Sequence, residues 1–293
     1  MQHLIATNDL TTDQINDILS DASKFKRAKN NPALLRDKLL FTLFFESSTR
    51  TRSSFEVAAK KLGASVVHLD PSNSSTNKGE SVEDTFANIC AMNPDGVIIR
   101  HSSNDIPRAL SEMNMAPVLN AGAGNYAHPT QALLDLFTIK EHFGEVSGKR
   151  VAIVGDIANS RVASSIMSLF PRFGIVLTLV APSGFMPETK EFTKVDNIAD
   201  IIDNIDVIIS LRAQLERHKT PIFDNYDEYA SHYCITPEVI GDRDIVVMHP
   251  GPVMRNIDIS DSVLADDRCQ VLTQVTNGVF VRMAILKLLL LDS

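Results

Sequence analysis

"LLFTLFFESSTRTRSSFEVAAKKLGASVVHL", residues 39–69, contains an apolar run, a cluster of hydroxyls and arginines, a helical stripe and a β-branched run. Residues 39–45 and 65–69 are of strand length. Between them Phe55, Ala58, Ala59 and Leu62 recur on one helical face before Gly63, a residue suited to end a helix. A strand, a helix and a second strand in succession predict parallel pairing with the helix laid across the sheet. The rhythm continues in apolar runs at 96–100, 116–120, 150–156, 175–182, 206–212 and 244–250, with longer helical segments between them. The fold class is therefore α/β, with helices on both faces of parallel sheets.

At 293 residues and 44% hydrophobic content the chain can bury one large domain or two ordinary ones, and two are favoured. The pattern "HPTQALLDLFTIKEHFG" at 128–144 opens with Pro129, closes at Gly144 and separates four candidate strands from four later ones. It sets the expected domains at 1–130 and 131–276, each a parallel sheet flanked by helices, linked by interdomain helices. The apolar segment 277–293 is expected to return to the first domain. Near the start, Thr11 or Thr12 caps a helix whose buried face is Ile15, Ile18, Leu19, Ala22 and Phe25.

A formal charge of -8, with no basic block, argues against nucleic acid or an anionic membrane as partner. The apolar stretch "MAILKLLLL" is interrupted by Lys287 and falls short of the ~20 residues that span a bilayer. The first residues lack the basic and apolar segments of an export signal. Three cysteines without CxxC spacing suggest neither a disulfide framework nor a zinc site, so a reducing cytoplasm is expected.

Ligands of open parallel sheets bind beyond the carboxyl ends of the strands, and unusual polar residues collect at those ends here. Residues 39–45 lead to Glu46, Ser48, Thr49, Arg50, Thr51 and Arg52, and 96–99 lead to Arg100 and His101. Residues 116–120 lead to His128 and Gln131; 150–156 to Asn159, Ser160 and Arg161; 206–211 to Arg212, Gln214 and Glu216; 244–248 to His249, Gly251 and Pro252. Each has an ordinary alternative. Ser48 or Thr49 could be a plain helix cap, His128 a structural histidine, and Arg212 with Glu216 a surface pair. Hydroxyls and arginines at a helix amino terminus nevertheless make an anion site, and phosphate is its natural guest. The "GDIANSR" turn lacks GxGxxG, "NKGE" is no Walker loop and nothing resembles HExxH, so neither cofactor nor metal is expected.

Over nearly its whole length the chain resembles the aspartate carbamoyltransferase family. The resemblance rests on "FFESSTRTRSSFEVAAKKLGASV", "SSTNKGESVEDT", "VIIRH", "VLNAGAGNYAHPTQALLDLFTI", "VAIVGDIANSRVA", "LRAQLER", "MHPGPVMRNIDI" and "VTNGVFVRMAIL" in this order. STRTR and HPTQ alone would fit the wider carbamoyltransferases, ornithine enzymes included. Lys78, the pair Arg212 and Gln214, and HPGP select aspartate, because a cationic pocket repels ornithine. Met254, Asn256 and Asp258 depart from the usual HPGPVNRGVEI.

The resemblance implies transfer of the carbamoyl group of carbamoyl phosphate to L-aspartate, in de novo pyrimidine biosynthesis. Ser48, Thr49, Arg50 and Thr51 would bind the phosphate; Thr51, Arg100 and His128 would face the carbonyl oxygen. Gln131 and the carbonyls near Gly251 and Pro252 would hold the carbamoyl NH2, while Arg161, Arg212 and Gln214 would take the two carboxylates. Arg52, one residue beyond these contacts, is read as structural. Ser74 and Lys78 would reach a neighbouring subunit's site in a homotrimer. Whether that trimer stands alone, pairs with regulatory chains or joins the next pathway enzyme is left open. A carbamoyltransferase for another amine and a non-catalytic relative are the competing readings.

Overall fold

The computed structural model describes residues 3–69, 79–217 and 222–291. They form two compact units, one of Met1–Phe137 with Val275–Ser293, the other of Thr138–Gln274. The division falls inside the helix that carries HPTQ, further along it than 130/131.

In the first unit the order is α1 (Thr12–Arg27), β1 (Leu39–Phe44), α2 (Thr49–Lys61), β2 (Ser65–Leu69), α3 (Val82–Cys90), β3 (Gly96–His101), α4 (Ile106–Glu112), β4 (Val118–Ala123) and α5 (Pro129–Phe143). The strands pair in the order β2-β1-β3-β4, all parallel. Thr11 caps α1 through Gln14, and the buried face is Ile15, Ile18, Leu19, Ala22 and Phe25, the stripe read from the sequence. Phe55, Ala58 and Ala59 of α2 and Leu62, which caps its end, are fully buried. Gly63 turns the chain at φ 86°, and a Cβ there would lie 2.9 Å from that of Ala33, so only glycine fits without displacement.

The second unit contains β5 (Arg150–Val154), α6 (Arg161–Leu169), β6 (Val176–Val180), β7 (Thr193–Val195), β8 (Val207–Ser210), α7 (Tyr226–Tyr233), α8 (Pro237–Ile240), β9 (Val246–Met248) and α9 (Asp261–Leu264). Its sheet order is β7-β6-β5-β8-β9, again all parallel. The edge strand β7 goes beyond the four strands expected. Its three residues, two of them exposed, carry no apolar run that the sequence could announce.

The last helix, α10 (Val271–Leu291), begins earlier than expected and is long and apolar enough to cross a membrane by length and composition. Its side chains instead pack as a core helix does. Val281, Met283, Ala284, Ile285, Leu286 and Leu289 are buried, and Lys287 pairs with Asp21 of α1 at 2.7 Å. Arg282, 3% exposed, donates to Ser54 Oγ at 3.0 Å and Thr130 Oγ1 at 3.2 Å, which ties α10 to α2 and α5.

Candidate active site

A strand order that runs outward in both directions from one strand creates a topological switch point, where a crevice opens at the carboxyl ends. In the first unit β1 is followed by β2 on one side and β3 on the other. The switch point thus lies between β1, which leads into Glu46 and α2, and β3, which ends at Arg100 and His101. In the second unit the same logic places it between β5, which leads to Asn159 and Arg161, and β8, which leads to Arg212 and Gln214.

Ser48 occupies the cap position of α2, yet its side chain makes no capping hydrogen bond. The first N–H groups of a helix need acceptors, and an uncapped start is suited to an anion. Thr49 and Arg50 follow in the first turn, and Thr51 is buried. Among the described residues Arg50 has no hydrogen-bond or ion-pair partner; it is exposed, and partial desolvation lowers its pKa from the ordinary 12.5. A cleft of about 220 Å³ opens here, lined by Phe44, Phe45, Glu46, Ser47, Ser48, Thr49, Arg52 and His68.

The second arginine of the motif behaves differently. Arg52 Nη1 lies 2.7 Å from His68 Nε2, and His68 Nδ1 lies 3.0 Å from the hydroxyl of buried Thr42. Arginine can only donate, so Nε2 accepts and the proton of neutral His68 sits on Nδ1, directed at Thr42. Arg52 also approaches Glu56 at 3.6 Å. It joins α2 to β2 and β1, as a structural residue would.

Arg100 falls where the register between β3 and β4 shifts, an irregularity that re-aims a side chain. It donates to the carbonyl of Ala121 at 3.2 Å and faces Glu46 at 3.3 Å. His128 is 5% exposed and precedes α5 directly. One turn on, Gln131 donates its amide to Asp135 at 2.9 Å, which leaves Oε1 as the acceptor end of that side chain. Neighbouring His101 has a lowered pKa, because burial outweighs the attraction of Glu46 and Glu83.

In the second unit Ser160 caps α6, and Arg161 is its first residue. Gln214 reaches back to the carbonyl of Asn159 at 3.4 Å, so the ends of β5 and β8 come together. Arg212 pairs with Glu216 at 2.8 Å, and Glu216 also accepts from Tyr226 at 2.9 Å. Burial would raise the Glu216 pKa, but its own backbone N–H, Tyr226 and Arg212 together leave it lowered. Gly251 adopts φ 72° and is joined to Pro252 by a cis peptide. Ser74 and Lys78 lie outside the described residues. Among those described, no group of three or more His, Cys, Asp or Glu could hold a metal ion.

Asp135 carried no sequence expectation, although it stands four positions from Gln131, the spacing of helical neighbours, whereas the pairing of Glu216 with Arg212 is the one weighed from the sequence. Asp258, noted only as a departure, proves fully buried.

Residues 2–141 match the aspartate/ornithine carbamoyltransferase carbamoyl-P binding domain, and residues 147–289 match the Asp/Orn binding domain of the same proteins. The aspartate carbamoyltransferase catalytic subunit of a Sulfurovum species is 66% identical, over 100% of this chain and 99% of the relative. Among solved structures, the catalytic subunit of M. jannaschii aspartate transcarbamoylase matches with a TM-score of 0.91 at 34% identity, covering 100% of this chain and 99% of the other. The Trypanosoma cruzi aspartate transcarbamoylase in complex with N-(phosphonacetyl)-L-aspartic acid matches with a TM-score of 0.89 at 30% identity, covering 97% and 94%. The chain belongs to the aspartate/ornithine carbamoyltransferase family, within its group of aspartate carbamoyltransferase catalytic subunits.

Proposed function

We propose that this chain transfers the carbamoyl group of carbamoyl phosphate to the amino group of L-aspartate, giving N-carbamoyl-L-aspartate and phosphate, a step of de novo pyrimidine (UMP) biosynthesis. The observation that carries the assignment within the site is the start of α2, an uncapped helix end followed by Arg50, an exposed cation without a partner among the described residues, at a switch point. Such a cation can pair with a dianion bound at the helix start. The Trypanosoma cruzi enzyme has also been solved with carbamoyl phosphate and aspartate, the substrate pair assigned here.

Ser48, Thr49, Arg50 and Thr51 hold the phosphate. Thr51, Arg100 and His128 donate to the carbonyl oxygen, where negative charge grows as the amine attacks. Gln131 Oε1 and the carbonyls near Gly251 and Pro252 accept from the carbamoyl NH2. Arg161, Arg212 and Gln214 take the two carboxylates of aspartate. A C–N bond forms, the C–O bond to phosphate breaks, and the amine proton passes to the departing phosphate. The protein contributes orientation and charge stabilisation rather than a nucleophile.

We further infer a cytoplasmic homotrimer in which Ser74 and Lys78 serve a neighbouring subunit's site. Support for the sharing comes from the "SSTNKGESVEDT" match alone. Mixed Lys78→Ala and Arg50→Ala trimers should regain activity after subunit exchange, and verified exchange without recovery overturns the sharing.

Calorimetric titration with N-(phosphonacetyl)-L-aspartate tests the site itself. Arg50→Ala and Arg212→Ala should each weaken binding by about 30- to 150-fold, the worth of ~2–3 kcal/mol for a charged hydrogen bond. Unchanged affinity in both variants removes these residues from the site.

A further inference from the structure

Asp258 is fully buried, and its carboxylate has three donors. Oδ1 accepts from the backbone N–H of Ala213 at 3.1 Å, and Oδ2 accepts from that of Met254 at 2.8 Å. The third is His249, also buried, whose Nε2 lies 3.2 Å from Oδ2. The imidazole orientation is not free. Nδ1 accepts from the N–H of Gly251 at 2.7 Å, so the ring proton must be on Nε2 and points at Asp258. The backbone carbonyl of Asp258 accepts from Ser210 Oγ at 3.2 Å and from Ile235 N at 3.0 Å.

One side chain therefore fixes two segments that matter. Ala213 stands between Arg212 and Gln214, just beyond β8. His249 follows β9 and determines where the N–H of Gly251 points, and Pro252 comes next. We infer that Asp258 is a positioning residue for the acceptor end of the reaction: through Ala213 and His249 it holds Arg212, Gln214, Gly251 and Pro252 in register. The inference rests on the assignment of those residues to aspartate and the carbamoyl group. A generic core contact would need no such acceptor. All three partners donate, so only a group with acceptor capacity on both oxygens satisfies them.

Asparagine is the discriminating substitution. Its NH2 would face either Ala213 N–H or the Met254 and His249 pair, donor against donor, and His249 cannot switch tautomer without abandoning Gly251. Glutamate keeps the charge and both acceptor oxygens. Steady-state kinetics of Asp258→Asn should show a rise of at least about tenfold in KM for aspartate and a smaller one, of about two- to fivefold, in KM for carbamoyl phosphate, with inhibition by phosphate within about twofold of wild type. Asp258→Glu should recover most of the aspartate KM. If the asparagine variant does not fold, His249→Asn carries the test, with a rise of about threefold in KM for carbamoyl phosphate and inhibition by phosphate unchanged. The inference is overturned if the aspartate KM is unmoved, if inhibition by phosphate weakens as much as aspartate does, or if glutamate recovers nothing. A wild-type protein that fails to carbamoylate aspartate instead refutes the proposed reaction.

Discussion

Two arginines of one five-residue motif should fail in opposite ways. Arg52→Ala removes a charge-assisted hydrogen bond of 2.7 Å to His68, in itself worth ~1.5–3 kcal/mol. The side chain is 39% exposed, so solvent screening brings that to about 1–2 kcal/mol, and the 3.6 Å approach to Glu56 adds no more than ~0.5 kcal/mol. At about 2–4 °C per kcal/mol for a protein of this size, the melting temperature should fall by roughly 2–10 °C. Phosphate inhibition should stay within about threefold of wild type. Arg50→Ala removes an exposed cation with no partner among the described residues, so its melting temperature should hold. Its kcat/KM for carbamoyl phosphate should drop by about 30-fold or more, the equivalent of ~2 kcal/mol. Thermal denaturation and phosphate inhibition, measured side by side, separate the two roles. The reasoning fails if Arg52→Ala weakens phosphate as much as Arg50→Ala does and leaves the melting temperature unchanged.

Other substitutions probe single links. Thr11→Ala removes the hydroxyl that accepts from the Gln14 N–H at 3.2 Å, while the backbone N–H of residue 11 keeps its 2.8 Å bond to Gln14 Oε1, and should cost ~1 kcal/mol, read as a lower melting temperature with unaltered kinetics. Glu216→Gln should raise the aspartate KM by about three- to tenfold with little change in stability, since the pair with Arg212 is substantially exposed. Because the Glu216 pKa is lowered, that pair is intact above the ordinary 4.5 and is lost only as pH falls through a lower value; wild-type aspartate KM should show no rise from Glu216 protonation between pH 7 and 5. Burial pushes Arg282 down to about 10 from 12.5, so holding its proton costs ~3 kcal/mol, at 1.36 kcal/mol per pKa unit. Arg282→Met should still destabilise, by about 1–3 kcal/mol, because it strips two hydrogen bonds and leaves Asp135 without its opposing charge. In an Asp135→Asn background the loss should shrink, as denaturation of the four proteins would show.

Periodicity made the helix of Phe55 and Ala58, the capped start at Thr11 and the eight apolar strand runs legible, because burial on one face leaves a repeating trace. β7 leaves none, with three residues at an exposed edge. The polar residues at the strand ends were readable as a group because α/β topology sends those ends to one side of the sheet. What a linear pattern could not supply was pairing between distant segments. That Arg52 meets His68, that Gln131 leans on Asp135 and that Asp258 serves Ala213 and His249 follow from register and loop paths. The substitution of Asp258 for glutamate was visible, but its three donors were not.

The most direct test supplies wild-type protein with ¹³C-labelled carbamoyl phosphate and an equimolar mixture of L-aspartate and L-ornithine, and identifies the labelled product by mass spectrometry. Labelled N-carbamoyl-L-aspartate should account for essentially all of it, with formation lost in Arg50→Ala. Labelled citrulline as the main product, or no carbamoylated amino acid from a correctly folded protein, would contradict the assignment.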